Sequence, residues 1–326
     1  MESPKMRSCG NSPPLRTGLG PAAYPPQSGG DHDVNPYLLA ARPATLPAAI
    51  APVLVGSALA VGDEVFRWDA FVVILFAALA IQIGVNFAND LADAQSGADT
   101  VDRVGPQRAV ASGLLTEAEM KRGIVVAFGL AAAAGLYLVW LGGWVILVIG
   151  VASIVAALAY TGGPIPYGYY GLGEVFVFVF FGLAATVGTR YVYDRQAPAD
   201  AWWAAVAIGL LATAILVANN VRDIDTDRAA GKRTVAVIIG SESSRLLYAA
   251  LIASAFVVIT VAVLTGVLPT WALLALVAIP RAGILVRSMF TETSPPALIG
   301  ILKGTARLQL IFALLLSVGI ISGSFS

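Results

Sequence analysis

Asn86-Phe87-Ala88-Asn89-Asp90-Leu91-Ala92-Asp93 and Asn219-Asn220-Val221-Arg222-Asp223-Ile224-Asp225-Thr226-Asp227 are the two stretches that decide how this chain folds. Each closes a long apolar run and opens onto a basic loop that contains glycine. On a helix, successive residues turn by about 100°, so Asn86, Asn89, Asp90 and Asp93 fall within about 100° of arc. Asn219, Asn220, Asp223 and Asp227 do the same, while Asp225 points to nearly the opposite side. The pattern predicts two oxygen-bearing stripes, one at the end of each helix.

The apolar runs around them set the fold class. The chain has 326 residues, 58% hydrophobic and 12% charged. A water-soluble domain carries about 25% charged residues. Nine runs of near membrane-spanning length follow one another, at roughly 44–62, 70–91, 122–141, 143–161, 172–192, 202–221, 246–266, 269–288 and 306–323. We expect an all-α polytopic membrane protein of about nine transmembrane helices around a central cavity, because in lipid each backbone polar group must find its partner within the segment. The Pro-, Gly- and Ser-rich residues 1–36 carry no apolar period and are expected to be a disordered tail, with the membrane domain at 37–326. Cys9 and His32, the sole Cys and His, lie before the first span, which excludes a disulfide framework and a Cys/His metal cage. A net charge of zero argues against a nucleic-acid partner.

Lys and Arg placement orients the chain. With the N-terminus inside, the nine-span topology leaves three of the 20 basic residues outside, namely Arg67, Arg190 and Arg195. Both acidic clusters then fall on the cytoplasmic side of a cell membrane, with loops capping the site there. The recurrence of an Asn/Asp-rich helix end plus a basic loop is a weak echo of two related halves facing one cavity.

Two carboxylates about one helical turn apart can share a divalent ion, leaving positions for water and phosphate oxygens. Two such pairs facing each other suit Mg²⁺ and a diphosphate, whose C–O bond ionises once its charge is neutralised. Arg103, Arg108 and the Gly231-Lys232-Arg233-Thr234 turn supply phosphate-binding cations. Asn and Asp at helix ends also cap helices, and loop charges are often merely solvated. Two stripes and two basic loops on one membrane face argue for chemistry over capping. An ion-coupled transporter would place such acids at mid-span. These lie at span ends.

Four stretches resemble the UbiA-type intramembrane prenyltransferases. They are Ala41-Arg42-Pro43-Ala44-Thr45-Leu46-Pro47; Asn86 through Gly113, with Asp102-Arg103-Val104-Gly105-Pro106-Gln107-Arg108; Tyr160-Thr161-Gly162-Gly163-Pro164 with Gly171-Leu172-Gly173-Glu174; and Asn219 through Gly240. The Arg-x-Gly-Pro-x-Arg and Gly-Lys-x-Thr elements are similar to the branch that acts on 1,4-dihydroxy-2-naphthoate. The resemblance implies Mg²⁺-dependent transfer of a polyprenyl group from polyprenyl diphosphate to that acceptor, with loss of CO2 and diphosphate. It also implies magnesium binding by Asp90, Asp93, Asp99, Asp223 and Asp227, with Asn86, Asn89, Asn219, Asn220, Arg42, Tyr160 and Lys232 beside the substrates. Two positions depart from the wider pattern: Gly97 stands where a third Asp is common, and Ile238 where a basic residue is expected.

Overall fold

The computed structural model describes residues 35–96, 108–163 and 166–324. The expected tail lies outside the described residues except for its last two, where Asn35 caps a short helix, α1, at Pro36–Ala41. Asp99 and Arg103 also lie outside them. The chain continues through α2 (Pro47–Gly62), α3 (Trp68–Ser96), α4 (Glu117–Gly142) and α5 (Trp144–Ala159). Then come α6 (Gly173–Asp194), α7 (Ala199–Arg222), the short α8 (Ile224–Ala229) and α9 (Val235–Leu264). The last two are α10 (Thr270–Thr291) and α11 (Pro295–Gly323).

Among the described residues seven helices are long and apolar enough to cross a membrane. Residues Pro36–Thr45 and Pro47–Gly62, bent by 53°, make an eighth span if taken together. The remaining expected span is α5, whose 16 residues fall short of the roughly 20 that a hydrocarbon layer requires. Length and hydropathy alone therefore do not reach the expected nine. The chain is an integral, multi-pass, all-helical membrane protein.

α7 forms the centre of the bundle. Ala204, Ala207, Ile208, Leu211 and Ala218 are all but inaccessible and share one core with Tyr248, Ile252 and Ile259 of α9 and Leu308, Phe312 and Leu316 of α11. Alanine at so many positions lets backbones approach where lipid supplies no hydrophobic drive between helices. One such close approach is where α6 crosses α7. A Cβ on Gly182 would lie 2.5 Å from Cα of Gly209 and 2.9 Å from the Ala205 carbonyl oxygen. α6 widens into a π-helical stretch at Phe178–Ala184 at this crossing.

Helix entries follow ordinary rules. Thr116 and Glu119 form a reciprocal capping box on α4, and Thr234 caps α9. At the end of the bundle remote from the acidic clusters, Arg190 of α6 is buried. It donates to Asp63 at the end of α2 and to Asp194, at 2.5 and 2.6 Å.

Gly182→Val should lower the unfolding midpoint in detergent by an amount equivalent to about 1–3 kcal/mol, the usual cost of overpacking. Gly129→Ala, where an added Cβ meets nothing within 4 Å, should leave it unchanged or slightly raised.

Candidate active site

A cavity of about 810 Å³ runs through the bundle, and its two ends differ in chemistry. Most of the wall is apolar, formed by residues such as Val53, Ile74, Ile81, Ile149, Phe181 and Val192. One end is polar. There α3 contributes Asn86, Asn89 and Asp93, and α7 with α8 contributes Asn219, Asn220, Asp223 and Asp227. Arg42, Arg108, Tyr160 and Lys232 line the same end. The two clusters, far apart in sequence, thus meet around one space.

Lys232 joins them. Its ammonium donates to Oδ1 of Asp93 at 3.0 Å and stands 4.0 Å from Oδ1 of Asp227. It also lies over the Tyr169 ring, 4.9 Å from the centroid. Burial works to lower the Lys232 pKa, but Asp93, Tyr169 and Asp227 carry it above its ordinary value. The other Asp93 oxygen accepts from Arg108, and both groups are buried. Asp223 is paired with Arg222, whose guanidinium also donates to Asn219 at 2.9 Å.

The amides are held from behind. Asn86 donates to the Ala41 carbonyl at 2.8 Å and to Thr45 at 3.1 Å, fixing the turn that carries Arg42. That turn places Arg42 in the left-handed region at φ 50°, uncommon for a residue with a Cβ. Asn89 accepts from Thr161 at 2.8 Å. Asn220 donates at 2.9 Å to Glu174, a buried carboxylate on α6. Beyond the amides, the rings of Tyr160, Tyr167, Phe176 and Phe180 follow one another, with centroids 5.4, 3.9 and 6.0 Å apart.

At two points the local structure differs from what helical angle alone suggests. Asp90 belongs to the first stripe by helical angle, yet it is not part of the cavity wall. It is 1% exposed and accepts from the backbone N–H groups of Ala109 and Val110 at 3.1 and 3.0 Å. Its carboxylate anchors the chain where it returns to α4, because the N–H groups there have no helical partner. The second stripe is not one continuous helix either. α7 ends at Arg222, Asp223 adopts φ −99° and ψ 9°, and α8 begins at Ile224. Asp227 still reaches the cavity, and the Asp225 side chain is almost fully exposed beside Arg228.

Sequence reasoning assigned no contact to the partners of the expected residues, Thr45, Thr161, Tyr169, Glu174 and Arg222, although all but Tyr169 stand in the stretches that carry the resemblance. Arg222 lies inside the second cluster and carried a readable signal. The others come from distant segments. The donors around the polar end are carboxylate and amide oxygens, the set a hard divalent cation prefers. No group of three carboxylates gathers at metal-binding distance among the described residues. Lys232, Arg108 and Arg222 instead neutralise the carboxylates.

A family model for the UbiA prenyltransferase family matches residues 49–299. The chain is 39% identical over 290 residues to the 1,4-dihydroxy-2-naphthoate octaprenyltransferase of Mycobacterium tuberculosis (strain ATCC 25618 / H37Rv), covering 89% of this chain and 98% of that one. It is 37% identical to the enzyme of the same name from Escherichia coli (strain K12), over 87% of this chain and 94% of that one. Its fold is similar to that of a UbiA homologue from Archaeoglobus fulgidus bound to DMAPP and Mg²⁺. That likeness has a TM-score of 0.58 at 15% identity and covers 88% of this chain and 99% of that one.

Asp90→Asn keeps the shape of the side chain but gives up the charge that two backbone N–H groups share. It should lower the unfolding midpoint by the equivalent of about 1.5–3 kcal/mol. Asp225→Asn, fully solvated, should not move it. Thermal unfolding of the two variants side by side checks the assignment.

Proposed function

The chain belongs to the UbiA prenyltransferase family, and on that footing we propose that it transfers a polyprenyl group from polyprenyl diphosphate to 1,4-dihydroxy-2-naphthoate, giving the quinol form of demethylmenaquinone. The observation that carries this reading is the division of one cavity into an apolar run and a polar mouth where both Asn/Asp clusters meet at Lys232. A long isoprenoid needs the first part and its diphosphate needs the second.

Each group in the mouth has a role in this reading. Arg108, Lys232 and Arg222 hold diphosphate oxygens, the guanidinium groups by their planar forks and the lysine as a point charge. Asp93, Asp223 and Asp227, with the amides of Asn89 and Asn219, are the residues that would hold Mg²⁺. Bound there, Mg²⁺ supplies the positive charge that makes diphosphate a good leaving group. Asp90 shapes the site from outside the wall, and Asp99 and Arg103, which belong to the expected set, lie outside the described residues.

The carbon–oxygen bond of the allylic diphosphate breaks, and diphosphate leaves with the electron pair. The dry apolar wall keeps water from the cation, and the faces of Tyr160, Tyr167 and Phe176 complement its charge. The naphthoate ring carbon bearing the carboxylate forms the new carbon–carbon bond. CO2 then departs, and its bonding electrons restore the aromatic ring. Arg42, on its turn at the mouth, would pair with the acceptor carboxylate. We assign the polar mouth to the cytoplasmic face of a cell membrane, since that orientation gathers 17 of the 20 Lys and Arg on one side.

Asp93→Asn and Asp227→Asn should each cut prenyl transfer by on the order of 100-fold or more while the protein stays folded. The decisive assay offers one polyprenyl diphosphate with several aromatic acids, with and without Mg²⁺, and follows CO2. Transfer to 1,4-dihydroxy-2-naphthoate with matching CO2 release is expected. Preference for a hydroxybenzoate, or transfer that ignores Mg²⁺, would refute the assignment.

A further inference from the structure

Most arginines that border the membrane part of this protein have a partner. Arg108 and Arg222 pair with Asp93 and Asp223, Arg190 with Asp63 and Asp194, and Arg245 donates to the carbonyls of Met289 and Glu292. The hairpin of α10 and α11 is different. It carries Arg281, Arg287, Lys303 and Arg307, and none of these four side chains makes a hydrogen bond or ion pair among the described residues. The Nε of Arg281 is buried without a partner.

Three of these cations, Arg281, Lys303 and Arg307, share one place, while Arg287 stands about 200° around α10 from the face that meets α11. Gly304 of α11 meets Leu285 of α10, where an added Cβ would fall 2.6 Å from a Leu285 methyl carbon. That contact sets the register of the two antiparallel helices. Arg281 lies four residues from Leu285, about 6 Å, and Arg307 three residues from Gly304, about 4.5 Å, both away from the connecting loop. The two arginines therefore stand at nearly the same height on neighbouring helices. Lys303 follows just on the loop side.

The face is the lipid-facing one. Arg307 continues an exposed stripe of Ile311, Leu314 and Val318, and Arg281 sits between Val277 and Ile284, each 66% exposed. Gly283 and Gly300 have nothing within 4 Å of an added Cβ, which leaves the surface there without side-chain bulk. From Leu308 to its end, α11 carries no charged residue, a length of about 24 Å against a hydrocarbon layer of about 30 Å. Arg307 and Arg281 thus mark the plane where hydrocarbon gives way to headgroups. A guanidinium at that depth with no protein partner is costly. The anion present at that depth in a bilayer is the lipid phosphate.

We propose that the α10–α11 seam binds an anionic glycerophospholipid. Arg281 and Arg307 take its phosphodiester by their planar forks, and Lys303 adds positive charge on the headgroup side. The acyl chains run along Val277, Ile284 and Ile311. Lys303 also lines the polar mouth of the cavity, so the lipid sits at the edge of the opening.

The test uses the full chain in nanodiscs of phosphatidylglycerol mixed with phosphatidylcholine, with retained lipid read by native mass spectrometry and the unfolding midpoint measured alongside. Wild type should retain phosphatidylglycerol over phosphatidylcholine and gain thermal stability from it. Arg281→Gln with Arg307→Gln should weaken that preference by on the order of tenfold, as expected for two lost surface charges. Arg228→Gln, on the exposed α8, should change neither reading. Arg307→Gln alone, on an exposed helix face, should weaken the preference by a smaller factor and keeps the measurement available if the double variant does not fold. Unchanged lipid retention in either variant would overturn the proposal, as would equal stabilisation of wild type by inorganic phosphate.

Discussion

The contact between Lys232 and the two acidic clusters holds the functional half of this structure together. Asp93 lies in the last turn of α3 and Asp227 in the short α8, and one ammonium reaches both. Without a cation between them, the carboxylates would repel in a region of low dielectric, where an unpaired buried charge is expensive. Arg108 and Arg222 extend the same logic to the second oxygen of Asp93 and to Asp223. The position of the loop after α8 is therefore tied to the end of α3, and the mouth of the cavity has a defined shape.

The apolar half obeys a different constraint. In lipid there is no water to drive helices together, so the bundle relies on close backbone contact and small side chains. The alanine face of α7 and the Gly182–Gly209 crossing satisfy it. Helices that pack so closely on one side can stand apart on the other. The space they leave between α2, α3, α5 and α6 is the long apolar cavity. Tight packing around α7 and an open cavity beside it are two results of one arrangement.

The existence of the helices was readable from hydropathy, because the runs are long and the bilayer permits little else. The meeting of the two clusters at one cavity end was readable from helical angle and charge placement. Three things were not. Helical angle assigned Asp90 to the stripe but could not reveal that the loop backbone near Ala109 would claim its oxygens. The break at Asp223 has no proline or glycine to announce it. The supports of the amides, Thr45 for Asn86, Thr161 for Asn89 and Glu174 for Asn220, come from remote segments and depend on tertiary contact alone. A sequence reports which groups carry charge and which face of a helix they share. It does not report which of several neighbours satisfies them.

That distinction bears on how the site works. Asp93, Asp223 and Asp227 are already balanced by Arg108, Lys232 and Arg222. A divalent cation arriving alone would have to displace these cations from the carboxylates. A diphosphate arriving alone would draw the same cations away and leave the carboxylates uncompensated, at a cost of several kcal/mol for each buried charge. Arriving together, they would let the arginines and the lysine turn to phosphate oxygens while the carboxylates kept a cation. Every buried charge would then stay paired, so the arrangement would favour joint binding over binding of either alone. The positively charged residues of the mouth hold the acidic clusters in register, and in the proposed function the same residues would hold the substrate afterwards.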